Sequence, residues 1–159
     1  MLGAGGAAKA ISFYIAPLVC CLVLVNRSES PAADLASSLR KRFKTNAIAK
    51  RKLTREILLE ELNDAEILIN ATPVGMNPNA DESLADRNLI HPHMTVFDLV
   101  YSPVETKLLK EASASGAKVI SGLKMLAYQG SLAFEIWTGR KPPVNFMLKA
   151  LTEAVKEIQ

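Results

Sequence analysis

The chain has 159 residues, enough for one domain with a substantial hydrophobic core and no need of disulfide bonds. Lys and Arg number 19 and Asp and Glu 16, which gives a net charge of +3. The basic clusters at 40–44 and 50–55 do not alternate with aromatic residues, so they are typical of solvated surface and argue against a nucleic-acid partner.

The apolar stretch from Ile11 to Val25 raises the question of a membrane span. It covers 15 residues and contains Pro17, whereas a bilayer needs about 20 apolar residues. The basic segment and cleavage pattern of a signal peptide are also missing. We expect no membrane association.

The two cysteines, Cys20 and Cys21, are neighbours within this apolar stretch. Adjacent residues of a strand point to opposite faces, so the two thiols are poorly placed to bond each other. We expect buried, reduced thiols in a cytoplasmic protein.

Hydrophobic periodicity predicts helices that alternate with strands along the chain. The helices are predicted at Gly6–Ala16, Pro31–Arg42, Thr54–Leu62, Thr106–Ser115, Met125–Thr138 and Val144–Ile158. The strands are predicted at Leu18–Val25, Asn46–Ala49, Ala65–Asn70, Met94–Val100 and Lys118–Ser121. Such alternation predicts an α/β fold, a Rossmann-like doubly wound parallel sheet with helices on both faces, in a single domain over 1–159. The first strand is largely missing, because two residues precede the first glycine, and exposed strand edges would favour self-association.

The opening sequence GAGGAA, from Gly3 to Ala8, fits the G-x-G-x-x-A pattern of a dinucleotide-binding turn. Its glycines permit a tight turn and close approach of the backbone to a pyrophosphate, which the first amides of the next helix would bind. Without a preceding strand, a flexible glycine-rich terminus is the alternative interpretation.

Arg27 follows the next strand, about 20 residues after the glycine turn. An acidic residue at this point suits the ribose hydroxyl of NAD, whereas an arginine suits the 2′-phosphate of NADP. The guanidinium can pair with that phosphate and stack on the adenine, although a surface arginine is the simpler alternative. Further polar loops follow the later strands, and together they predict a cleft at one edge of the sheet.

Six segments in order resemble one known family: GAGGAAKA, NRS, INATPVGM, FDLVYSP, GLKMLAYQG and FEIWTGRKPP. They are similar to the C-terminal, cofactor-binding domain of the shikimate/quinate dehydrogenase family. The resemblance implies interconversion of 3-dehydroshikimate and shikimate by hydride transfer with NADP or NADPH, in the biosynthesis of chorismate and aromatic amino acids. NAD is the weaker alternative cofactor. Glu29, Ser30 and Pro31 stand where many NADP-using relatives carry a second basic residue, so a single arginine must discriminate and the preference for NADP is softened.

The resemblance also implies site residues at the carboxyl ends of the strands. The implied cofactor-binding residues are Ala4, Gly5, Gly6, Ala7, Asn26, Arg27, Ser28, Ala71, Thr72, Val74, Val100, Gly122 and Met125. Of these, the first four would hold the pyrophosphate, the next three the adenosine 2′-phosphate and ribose, and the last three would lie near the nicotinamide. Tyr101 and Gln129 would bind the substrate.

The family's catalytic lysine and aspartate lie in an N-terminal substrate domain that these 159 residues do not contain. We therefore expect no catalytic residue in this chain, and no dehydrogenase activity from it alone. A non-catalytic nucleotide-binding or regulatory remnant of the same fold is the competing hypothesis.

Five other side chains invite functional interpretations. His91 and His93 have no metal-ligand spacing around them and are expected at the surface, so no metal site is predicted. Asp98 suits a structural carboxylate that binds loop amides. Phe134 and Trp137 are expected in the core.

Overall fold

The computed structural model describes residues 1–44 and 48–157, with side chains to residue 155. The helices are α1 (Gly6–Ile15), α2 (Glu29–Phe43), α3 (Arg55–Asn63), α4 (Lys107–Ala114), α5 (Gly122–Thr138) and α6 (Val144–Glu157). The strands are β1 (Leu22–Asn26), β2 (Ile48–Lys52), β3 (Ile67–Asn70), β4 (Thr95–Asp98) and β5 (Lys118–Ser121). The alternation predicted from the sequence is confirmed. Asn46 and Ala47, the start of one predicted strand, and Ile158, the end of the last predicted helix, lie outside the described residues.

The strands pair in parallel in two groups, β1 with β2 and β3 with β4 and β5. Leu2 lies between the groups and forms a parallel bridge to Val25 on one side and to Asn70 on the other. Its amide donates to the carbonyl of Ile69 at 2.8 Å, and its carbonyl accepts from the amide of Ala71 at 2.8 Å. The short segment Met1–Leu2 therefore joins the two halves of the sheet.

Side chains that alternate along the strands fill two separate cores, one on each face of the sheet. Leu24 packs with α1 and α2, whereas its neighbour Val25 packs with α3 and α4. In β3, Leu68 lies in the core with α3 and α4, and Ile69 lies in the core with α1 and α2. This distribution confirms a doubly wound sheet with helices on both faces.

The predicted strand Leu18–Val25 is too long at its start. Residues Ala16–Leu18 form a short 3-10 helix with Pro17 as its second residue, and β1 starts only at Leu22. Cys20 and Cys21 are consequently exposed, which corrects the expectation that both thiols are buried. Pro17 has a fixed φ and no amide hydrogen, so it favours this first helical turn over extended pairing.

The C-terminal region differs from expectation in two respects. Gly122 is the first residue of α5, where the sequence predicted a loop up to Met125. Trp137 is 82% exposed and Phe134 36% exposed, so the expectation that they lie in the core is wrong. Local spacing identified a helix but could not show that this part of α5 has no sheet beneath it. No helix among the described residues is long and apolar enough to cross a membrane.

The α-amine of Met1 donates to the carbonyl of Val23 at 3.0 Å, and its burial lowers its pKa from 8.0 to about 6. The unfolded chain therefore binds a proton between pH 8 and pH 6 that the folded chain does not bind. For a polypeptide with Met1 as its first residue, we expect the free energy of unfolding to fall by about 2 kcal/mol as the pH drops across this window.

Urea denaturation at pH 8 and at pH 6 measures this loss. The matched control is the same chain acetylated at Met1, which keeps an N–H for Val23 but has no amine to titrate. Equal pH dependence of the two chains would contradict the assignment to the amine.

Candidate functional site

The glycine turn links Leu2 to α1 at the carboxyl edge of the sheet. Gly3 has a φ of +99°, and a Cβ there would lie 2.8 Å from the carbonyl oxygen of Ala71. A side chain at this position would clash with the backbone of the loop after β3, so Gly3 must be glycine. Its amide donates to the carbonyl of Val25 at 2.8 Å, which fixes the direction of the turn.

The next two glycines leave open space beside the start of α1. A Cβ on Gly5 or Gly6 would meet no atom of the described residues within 4 Å. Gly5 is the N-cap of α1, and no side chain of the described part caps the helix. Ala4 is half-buried and Ala7 exposed. The first amides of α1 therefore face an uncrowded surface, where a phosphate can approach the backbone.

The segment after β1 forms the next part of this edge. Asn26 is half-buried, and its side-chain amide donates to the carbonyl of Ser28 at 2.8 Å. This bond closes the turn into α2, for which Ser28 is the N-cap. Arg27, between them, is exposed. Its guanidinium is thus presented to solvent from a fixed backbone.

The loop after β3 is held by the side chain of Asn70, which is 1% exposed. The side-chain oxygen of Asn70 accepts from the amide of Thr72 at 3.0 Å and from its hydroxyl at 2.7 Å. The Thr72 hydroxyl in turn accepts from the amide of Val74 at 3.2 Å. These bonds fix Ala71, Thr72 and Val74, all half-buried, against the glycine turn. The Thr72 hydroxyl is used to hold the loop.

Asp98 connects this loop to the loop after β4. It is fully buried and accepts from the side-chain amide of Asn70 at 2.9 Å, the amide of Val100 at 3.0 Å and the hydroxyl of Thr106 at 2.6 Å. Burial raises the pKa of Asp98, and the three hydrogen bonds oppose that rise by stabilising the carboxylate. The sequence interpretation of Asp98 as a structural carboxylate is confirmed.

Sequence reasoning missed Asn70 and Thr106 as members of this network. Thr106 is fully buried and also caps α4, since its hydroxyl accepts from the amide of Leu109 at 3.3 Å. The available signals were an asparagine at the end of an apolar strand and a threonine just before a helix. Neither signal indicates that the two side chains meet at one carboxylate.

The start of α5 approaches the end of β4 very closely. Gly122 is buried, and a Cβ there would lie 2.3 Å from the carbonyl oxygen of Leu99. Val100 is buried, and Met125 packs partly buried against the core on the α1 side. These three predicted residues form the wall of the edge next to β4 and β5.

The two residues predicted to bind substrate are both accessible. Tyr101 is 40% exposed just after β4, and Gln129 is exposed on α5, two turns from its start. His91 and His93 stack their rings at 5.6 Å on the far side of β4, before its first residue. Among the described residues, no three His, Cys, Asp or Glu side chains are grouped closely enough to hold a metal ion.

Comparisons with known proteins agree with this geometry. Residues 122–152 match the family model described as the shikimate 5′-dehydrogenase C-terminal domain. The NADP(+) shikimate dehydrogenase of Methanosarcina barkeri is 46% identical over 154 residues, which are 97% of this chain and 54% of that protein. The chain is similar in sequence to shikimate dehydrogenases over nearly its whole length. It spans about half the length of the curated relatives that it matches.

Solved shikimate dehydrogenases and their relatives have the same fold. A shikimate dehydrogenase crystallised with NADP+ superposes with a TM-score of 0.87 at 38% identity, over 97% of this chain and 53% of that one. A quinate dehydrogenase from Corynebacterium glutamicum, crystallised with NAD, gives a TM-score of 0.86 at 30% identity, over 96% and 53% of the two chains. The similarity to shikimate dehydrogenase, expected from the sequence, is confirmed.

The close approach at Gly122 predicts opposite effects for two alanine substitutions in α5. Gly122→Ala should destabilise the protein by about 3 kcal/mol, because the new methyl group overlaps backbone atoms of Leu99. Gly130→Ala, within the same helix, should stabilise it by up to about 1 kcal/mol, because alanine favours the helix and its Cβ would meet Met147 at an ordinary 3.5 Å.

Thermal unfolding of the two variants and the parent chain measures both effects. Gly130→Ala serves as the matched control, since it adds the same methyl group where there is room. A stable Gly122→Ala variant would show that α5 can begin farther from β4.

Proposed function

We propose that this chain binds NADP or NADPH and forms the cofactor-binding half of an enzyme that interconverts shikimate and 3-dehydroshikimate. The observation that carries the proposal is the glycine turn. Position 3 must be glycine because a Cβ there would clash with the backbone of Ala71. Gly5 and Gly6, in contrast, border open space at the start of α1. The fold requires glycine at position 3, but nothing in the described residues requires it at positions 5 and 6. Glycines of this second kind suit a ligand that binds close to the backbone, where a side chain would block it.

The residues around this turn fit the parts of a dinucleotide. The amides at Ala4, Gly5, Gly6 and Ala7 would bind the pyrophosphate, because the start of a helix carries positive potential. Asn26, Arg27 and Ser28 would hold the adenosine ribose, with Arg27 on the 2′-phosphate. NAD lacks that phosphate, so we infer that it is the weaker cofactor.

The opposite end of the edge suits the nicotinamide and the substrate. When bound, NADP accepts a hydride and NADPH donates one. Ala71, Thr72 and Val74 would line the cofactor, and Val100, Gly122 and Met125 would lie beside the nicotinamide. Gly122 lets the start of α5 lie against the backbone of Leu99, which fixes the position of this wall. Tyr101 and Gln129 would form hydrogen bonds to the substrate.

We infer that the catalytic lysine and aspartate belong to an N-terminal substrate domain outside these 159 residues. Support comes from α5, where Tyr128, Leu132 and Ile136 are 54%, 61% and 80% exposed. Residues four apart lie on one face of a helix, so these side chains form an apolar stripe that starts beside Gln129. Such a stripe is typical of a surface that another domain covers. We further infer a cytoplasmic location, and self-association through the sheet edges stays a prediction.

Binding of NADPH to the 159-residue chain tests the cofactor proposal. Arg27→Gln should raise the dissociation constant for NADPH about tenfold and leave that for NADH within about twofold, since only NADPH carries the 2′-phosphate. Titration of nicotinamide fluorescence measures both constants.

Arg87→Gln is the matched control, because Arg87 is also exposed and lies before β4, away from the glycine turn. It should leave both constants unchanged. A wild-type chain that binds neither dinucleotide at millimolar concentration would overturn the proposal.

Complementation separates the enzyme hypothesis from that of a non-catalytic remnant. The chain alone should not reduce NADP in the presence of shikimate, because proton transfer needs a donor within hydrogen-bond distance. Addition of an N-terminal domain from a shikimate dehydrogenase should restore shikimate-dependent formation of NADPH, followed by its absorbance. Saturable NADPH binding without restored activity would favour the remnant.

A further inference from the structure

Two lysines near the carboxyl end of β2 have no role in the fold described above. Side chains alternate along a strand, so Lys50 and Lys52 lie on the same face as Ile48. Ile48 is buried in the core formed with α2. The two lysines are exposed, and both extend toward the side of the sheet on which α2 lies.

The register of the sheet brings Lys52 beside the turn that contains Arg27. The Cα of Lys52 pairs with that of Asn26, and the next amide, of Leu53, donates to the carbonyl of Asn26 at 3.0 Å. Neighbouring strands are about 4.8 Å apart, and a lysine side chain is longer than this spacing. The Lys52 ammonium can therefore reach the space in front of Asn26 and Arg27.

A groove occupies the space between β2 and the first turn of α2. It measures about 120 Å³ and is lined by Glu29, Ala32, Lys50, Arg51 and Lys52. One of its lining residues, Lys52, pairs with Asn26, so the groove lies beside the turn that contains Arg27. It provides room for a small anionic group between the helix and the strand.

The charges around the groove favour an anion. Arg51 is held on the other face of the strand, where its guanidinium contacts Glu61 at 2.8 Å and Glu60 at 3.2 Å. Within the described part of the chain, Lys50 and Lys52 form no ion pair, and Glu29 is the single carboxylate that lines the groove. Two lysines against one glutamate leave a net positive charge beside Arg27.

We propose that Lys52, with Lys50 behind it, is a specificity-determining residue for the 2′-phosphate of NADP. This inference rests on the proposed function. Arg27 binds the phosphate from the β1 turn, and Lys52 approaches it from the neighbouring strand as a second cation. The ribose hydroxyl of NAD carries no charge, so Lys52 strengthens binding of NADP over NAD. The residues directly after Arg27 include no second basic side chain. Strand pairing places Lys52 beside Arg27 instead, and Lys52 provides the second positive charge.

The test compares NADPH with NADH in charge-matched variants of the 159-residue chain. Lys52→Gln should raise the dissociation constant for NADPH about fivefold and leave that for NADH within about twofold, as expected for one exposed charge contact. Lys50→Gln should have a smaller effect, because its Cα lies about 6.6 Å farther from the strand end. Lys118→Gln makes the same charge change on β5, at the opposite edge of the sheet, and should leave the ratio of the two constants unchanged.

Competition by 2′,5′-ADP and by 5′-AMP gives a second readout that does not depend on the nicotinamide. Lys52→Gln should weaken the binding of 2′,5′-ADP and leave the binding of 5′-AMP unchanged. This inference would be overturned if Lys52→Gln and Lys118→Gln gave the same ratio of the NADPH and NADH dissociation constants. If Arg27→Gln still weakened NADPH binding selectively, the proposed function would stand. Failure of the wild-type chain to bind either dinucleotide would overturn both.

Discussion

The backbone pairing of Leu2 is the interaction on which the rest of this structure depends. Leu2 occupies the centre of the sheet and bridges Val25 of β1 and Asn70 of β3. Its hydrogen bonds to Ile69 and Ala71 join it to the β3 side, and the bonds of the flanking Met1 and Gly3 to Val25 join the same segment to β1. The same pairing sets the position of Gly3, which follows at once and binds Val25. The direction of the glycine turn is thus set by a short segment that is centred on Leu2, which is 1% exposed, and that is bonded to both neighbouring strands.

A second constraint organises the other half of the edge. The buried Asp98 carboxylate accepts hydrogen bonds from Asn70, Val100 and Thr106, which come from three different segments. Removing one donor would leave a buried charge with an unpaired lone pair, which is costly in a medium of low polarity. The loops after β3 and β4 are therefore fixed to each other. Tyr101 and the wall beside Gly122 keep their place because this network lies directly behind them.

Much of the fold could be predicted from the sequence, because helices and strands differ in hydrophobic period. The apolar run AEILIN identified β3 and a basic last turn identified the end of α2. The pattern failed where apolar residues serve another purpose. Leu18 to Cys21 read as strand, yet Pro17 turns the chain into a 3-10 helix, and the cysteines are exposed. Trp137 was predicted in the core because its helix is apolar, but no layer of the described residues covers it.

The candidate site shows the same division. The sequence by itself determined the residue types and their order: bare glycines, an arginine after β1 and polar loops after later strands. Tertiary structure alone decided which of these meet. The pairing of Lys52 with Asn26, the convergence of Asn70 and Thr106 on Asp98, and the contact of Gly122 with Leu99 all join residues far apart in the chain. Local periodicity specifies which face of an element is apolar, whereas strand order and register depend on long-range packing that no local pattern contains.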